Sequence, residues 1–194
     1  MAFQNGFRGT TGGAVQTAYT DQPGIAVAGQ LAFASDLNYC DALYIGQADG
    51  IAAGIGVKLT AVADDISFQR PNLQALLPGD ADANTTFGGI LVFDESMQSD
   101  ENGVPGLAKG RIGRIAKPGR AGARIYVKCP TAVDHTADTV NWVTIAPADA
   151  SRAKGEFCPA ALGGGAAGTS VDVSGVARWI SSAAAGEVAI VELF

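Results

Sequence analysis

The chain reads as a series of short apolar runs punctuated by glycine and proline. Runs at residues 24–33, 43–45, 54–62, 87–93, 111–116, 123–129, 139–145, 155–157, 176–180 and 187–194 are strand candidates, short and bounded by turn residues. In the third run Ile55, Val57 and Leu59 oppose Lys58 and Thr60. In the sixth, Ala123, Ile125, Val127 and Cys129 alternate with Arg124, Tyr126 and Lys128. Residues 24–33 are apolar on both faces. The final run sets Val188, Ile190 and Phe194 on one side and Ala189, Val191 and Leu193 on the other, so it predicts a strand covered on both sides. Such a strand closes a barrel or sandwich, or inserts into a neighbouring subunit. Lys117-Pro118-Gly119-Arg120 is a strong turn signal and predicts that 111–116 and 123–129 form a pair. Residues 66–77, with Pro71 inside them, are ambiguous and read as an excursion, and 149–154 are compatible with one helical turn.

Strands without intervening helices predict an all-β fold, an antiparallel β-barrel or sandwich of the jelly-roll or tulip type with little helix. Residues 1–24 are polar and Gly-, Thr- and Gln-rich, with Phe3, Phe7 and Tyr19 isolated among them. They read as an extended N-terminal arm or a disordered lead, ahead of a single β-domain over 25–194. Isolated aromatics in an arm suit anchoring on a partner surface.

Composition narrows the class. Apolar residues make up 47% of the 194-residue chain and charged residues only 16%. That excludes disorder, and it suggests a surface partly covered by other subunits. The net charge of −6 argues against a nucleic-acid binder. No secretory leader opens the sequence and no apolar run approaches the length of a membrane span, so synthesis in a cytoplasm and residence there until assembly is expected. Cys40, Cys129 and Cys158 fit no zinc or redox spacing and read as reduced, mostly buried thiols.

Candidate chemistry is sparse. His135 is the only histidine, in a polar turn, and no G-x-S-x-G elbow accompanies it. Asp80, Asp82 and Asn84 begin like a calcium loop, but Thr85 stands where glycine is needed and Leu91 where the bidentate glutamate belongs. Gly163-Gly-Gly-Ala-Ala-Gly168 fits a dinucleotide fingerprint by letter, yet Val171, Val173 and Val176 follow it in β-type alternation, so it reads as a loop. The acidic pairs Asp64/Asp65, Asp94/Glu95 and Asp100/Glu101 keep a carboxylate hydrolase on a jelly roll as a minor alternative. No catalytic residue, cofactor or metal is expected.

The charge pattern says more. Lys109, Arg111, Arg114, Lys117, Arg120, Arg124 and Lys128 follow one another with no acid among them, a positive stripe on an acidic chain. It is a solvated hairpin face, a phosphate site, or a surface for electrostatic docking against an acidic partner. Trp142 and Trp179 are expected as core or subunit-interface anchors.

Three segments resemble the structural cement, or head decoration, proteins of tailed bacteriophages. They are Phe87-Gly-Gly-Ile-Leu-Val-Phe93, the basic and apolar strands of 110–143 ending in Val140-Asn-Trp-Val143, and the tail Val176-Ala-Arg-Trp-Ile-Ser-Ser-Ala-Ala-Ala-Gly-Glu-Val-Ala-Ile-Val-Glu-Leu193. Similar chains often carry Gly-Asp where this one has Ala137-Asp138. Residues 36–82 have no alignable counterpart and read as a possible insertion. The resemblance implies a non-enzymatic virion protein on the outer surface of an icosahedral capsid, bridging major capsid proteins as a homotrimer or dimer. It is expected to be made in the bacterial host cytoplasm and to bind neither nucleic acid nor membrane. On that reading Phe3, Phe7 and Arg8 of the arm, and Arg111, Arg114, Lys117 and Arg120 of the stripe, face the partner. The alternative is a tail-associated or fibre β-domain that recognises a host surface glycan.

Overall fold

The computed structural model describes residues 26–32, 40–61, 73–79, 82, 86–94, 97–99, 104–119 and 122–194. Five strands close a barrel: β1 (Cys40–Ile45), β3 (Gly56–Ala61), β4 (Leu73–Leu76), β5 (Phe87–Val92) and β8 (Ile112–Ala116), in the order β1-β4-β3-β5-β8. Leu43, Ile45, Val57, Ala75, Leu91 and Ile115 form one core cluster, contributed by every barrel strand. Ile51 of β2 (Ile51–Ala52) and Leu107 of β7 (Pro105–Leu107) join it from a small sheet completed by β6 (Gln98–Ser99).

A second, larger core joins the barrel to two further three-stranded sheets. One has the order β11 (Phe157–Cys158), β10 (Asn141–Ile145), β12 (Thr169–Asp172). The other has the order β13 (Ala177–Trp179), β14 (Val188–Leu193), β9 (Ala123–Lys128). Phe87, Ile90 and Val92 belong to this core, whereas Leu91 belongs to the barrel cluster. Strict alternation would send Phe87 and Ile90 to opposite faces. The register of β3 against β5 shifts between Val57 and Lys58, and this bulge at Gly88-Gly89 turns Phe87 back onto the outer side. The continuous apolar run at 87–93 is thus a strand buried on both faces. Trp142 is fully buried, 5.3 Å edge-to-face from Phe87, and Phe157 lies 6.0 Å from Phe87. Trp179 donates its indole N–H to the carbonyl of Thr139.

The all-β expectation holds, and no α-helix occurs among the described residues. Several expectations need correction. The barrel is not purely antiparallel: β4 pairs parallel to β1, because the chain crosses through β2 and β3 before returning alongside it. Residues 66–77 are not simply an excursion, since 73–76 supply that strand. The described part of 36–82 provides three of the five barrel strands. Residues 26–32 are a turn with one bridge, Leu31 to Ile125, because Gly29 at φ 86° breaks the extended run. β8 and β9 do not pair with each other. β8 lies between β1 and β5, while β9 pairs with β14, so the two strands on either side of Lys117-Pro118-Gly119 belong to different sheets. Lastly, β14 is the central strand of its own sheet, with one edge paired to β9 and the other to β13 of the same chain. Its inner face is buried through Ala189, Val191 and Leu193, but Val188 and Ile190 are half-buried and Phe194 is exposed. The arm, residues 1–24, lies outside the described residues.

Candidate docking surfaces

The positive stripe is divided by the topology. Its first part sits on the barrel. The turn at 108–111 is closed by a hydrogen bond from the Arg111 N–H to the Ala108 carbonyl, and β1 holds it from the side. Ile45 donates its N–H to the Arg111 carbonyl, and Gly110 donates to the carbonyl of Ile45. From there β8 alternates, with Gly113 and Ile115 inside and Ile112 and Arg114 outside. Across the ladder Ile112 stands opposite Tyr44 and Arg114 opposite Ala42. Ile112 is 51% exposed, the largest value among the exposed large apolar residues that are described, and Arg111 and Arg114 flank it in sequence. A shallow cavity of about 440 Å³, lined by Gln98, Leu107, Arg111 and Ile112, opens beside it. Lys117 is turned to its own chain, 3.1 Å from Asp41. Arg120 lies outside the described residues, as do Phe3, Phe7 and Arg8.

The second part of the stripe sits on the outer face of β13-β14-β9. Three residues in register form a row across it: Arg178 of β13, Glu192 of β14 and Arg124 of β9. Arg124 reaches one oxygen of Glu192 at 2.9 Å, and Arg178 donates from Nε to the other at 2.6 Å. Burial pushes the Glu192 carboxyl up, but the hydrogen bonds and charges of the two arginines more than offset this and hold it below its ordinary value of 4.5. The Arg178 guanidinium also lies 5.8 Å from the centre of the Phe194 ring. Further along the face, Ile190 stands opposite Tyr126 and Val188 opposite Lys128. Arg178 and Glu192 escape a sequence reading because only the β9–β14–β13 pairing brings them to Arg124.

The row makes stability depend on pH. A carboxyl whose folded value is depressed stabilises the fold fully above its unfolded value, and that contribution is lost as pH falls through the folded value. Glu192→Gln is expected to cost about 2 kcal/mol at pH 7, since the two half-exposed or exposed arginines recover hydration. In denaturant titrations the gap between wild type and variant should close as pH drops below 4.5. A gap constant down to pH 3 would show that the carboxylate charge does not matter.

The other candidate chemistry takes ordinary structural roles. His135 Nδ1 is 2.9 Å from Ser182 Oγ on the surface, while the Asp134 carboxylate accepts from the N–H and hydroxyl of Thr136 instead of orienting the histidine. Asp82 accepts from Lys58 and from the Gly79 N–H, and Asp80 and Asn84 lie outside the described residues. No group of three or more His, Cys, Asp or Glu side chains placed to hold a metal occurs among the described residues. No disulfide joins Cys40, Cys129 and Cys158, and burial pushes Cys129 up to about 11, far from a reactive thiolate.

A family model described as structural cement protein (E217 gp24/Pam3 gp6) matches residues 15–194. No curated protein matches the chain.

Proposed function

The chain belongs to the phage structural cement protein family, whose members are virion proteins that stabilise capsids, and from that premise we propose how it does so. It sits on the outer surface of an icosahedral head as a homo-oligomer, trimeric or dimeric, and bridges neighbouring major capsid proteins without catalysing a reaction. It is made in the host cytoplasm and joins the shell from there. The glycan-recognising fibre domain has no support in the family assignment.

The observation that carries the docking mode is the exposed Ile112 between Arg111 and Arg114 on a chain of net charge −6. An exposed apolar side chain with an arginine on either side of it in sequence fits an acidic partner surface with an apolar recess: the isoleucine supplies desolvated contact and the arginines supply steering and register. Lys117 contributes less, because Asp41 already takes its charge. Arg120 extends the same basic run in sequence, and the arm with Phe3, Phe7 and Arg8 adds a further contact. Repetition over a lattice raises occupancy through avidity without high affinity at any one site.

The test is occupancy on purified shells that lack the protein. Arg111→Glu with Arg114→Glu is expected to weaken binding at least tenfold at low salt, with the difference shrinking as salt rises. Deletion of residues 2–20 is expected to lower occupancy at every salt concentration. Shell binding indifferent to the charge reversal would remove the stripe from the mechanism, and indifference to the deletion would remove the arm.

A further inference from the structure

We propose that the outer face of β13-β14-β9 is a second docking surface, fitted to an acidic patch with an apolar centre on a neighbouring capsid protein. The proposal rests on the cement reading above, and it says that the molecule holds its neighbours with two separate faces built on two different sheets.

Three observations lead there. First, the face is incompletely covered. Val188 and Ile190 on the central strand are half-buried, Phe194 is 41% exposed and Ile180, beyond β13, is 37% exposed. β14 is apolar on both sides, but the protein's own core takes only one of them. Second, the face is rigid. The Arg178-Glu192-Arg124 row ties all three strands together by side chains as well as by their ladders, and Arg178 also sits against the Phe194 ring. A preordered face loses little entropy when it binds. Third, among the described residues its charge is mainly positive: Lys128, Arg124 and Arg178 share the face with one acid, Glu192, which is only 6% exposed.

Charge decides between occupants. In a two-fold packing of this face on a second copy, each cationic row would meet another cationic surface, and the single acid on each side is already paired. Like charges brought together in this way oppose association. Nucleic acid would complement the charge, but the chain carries 19 acidic residues against 13 Lys and Arg, and a duplex backbone offers nothing to the apolar ridge. An acidic protein surface with an apolar centre satisfies both halves of the face.

The experiment uses the full-length protein and shells of its phage assembled without it. Two variants probe this face: Lys128→Glu with Phe194→Asp, and Arg178→Gln as a milder change that keeps side-chain size. Thermal melting and solution mass are measured for each, with Arg111→Glu/Arg114→Glu run in parallel. Loss of one of the linked contacts is expected to reduce apparent affinity about 100-fold or more, at unchanged solution mass. Shell binding at wild-type strength in both variants overturns the proposal. So does a binding loss accompanied by a fall in solution mass, which would make the face a contact between copies. Retention of DNA by the wild type that disappears in both variants overturns it in favour of a polyanion site. If only Arg111→Glu/Arg114→Glu binds normally, the barrel stripe is wrong and this face stands. Failure of the wild type itself to bind shells overturns the cement reading and this proposal with it.

Discussion

Gly89→Ala is expected to abolish the folded protein or lower its melting temperature by about 8–16 °C. Gly89 occupies β5 between β3 and β8, at φ 140°, a conformation that L side chains rarely adopt. A Cβ there would meet the Ala116 carbonyl oxygen at 2.1 Å and Ile115 Cγ2 at 2.9 Å. The first of these is backbone in the adjacent strand, so relief requires the β5–β8 ladder to open. Backbone strain of about 1–3 kcal/mol and a similar overpacking cost add to about 4 kcal/mol. A domain holds about 5–15 kcal/mol in total. Gly119→Ala is the matched control: its φ is 84°, but nothing lies within 4 Å of the added methyl, so only the strain is paid. Soluble yield and a melting curve for both variants decide the matter. Equal behaviour of the two would mean that β5 yields far more easily than its burial implies.

The second large effect belongs to Trp142. Its indole is wholly buried between Phe87, Phe157 and the backbone of Gly56, where an added Cβ would lie 2.7 Å from Nε1. Trp142→Ala removes the more deeply buried of the two tryptophans in the main core and is expected to cost about 3–5 kcal/mol. Trp142→Phe is expected to cost much less. The indole N–H has no hydrogen-bond partner among the described residues, so losing it forfeits nothing polar there, and a phenyl ring keeps the edge-to-face contact with Phe87. Urea unfolding of the two variants measures the difference. A phenylalanine variant as weak as the alanine one would mean that the N–H is satisfied in solution and that the position selects tryptophan for it.

The local part of this fold was legible in the sequence, and the long-range part was not. The run at 87–93 announces a strand, while its burial on both sides and its bulge at the two glycines emerge only from the packing and from the pairing with β3. The alternation of 123–129 gives the buried face of β9 residue by residue. What local signals leave open is partnership. Lys117-Pro118-Gly119-Arg120 has the chemistry of a hairpin turn, yet β9 takes its partner from 188–193, because only β14 offers a matching face of Ala189, Val191 and Leu193. β2 and β6 have two residues each and β7 has three, too few for any periodicity. β4 is hidden by the proline before it and by a parallel pairing that no turn chemistry reports. The docking faces divide in the same way. Arg111 and Arg114 stand out as unopposed cations in sequence, whereas the clamp on Glu192 joins residues from three strands that only the fold brings together.

The place of β14 between β9 and β13 has a consequence for biosynthesis. At ordinary translation rates the ribosome is still extending the chain for roughly 3–12 s after β9 has been made and before β14 exists to cover it. Throughout that interval Ile125 and Val127 lack the strand that buries them. The nascent polypeptide is then exposed to aggregation and to chaperone capture until β14 slots into the waiting sheet.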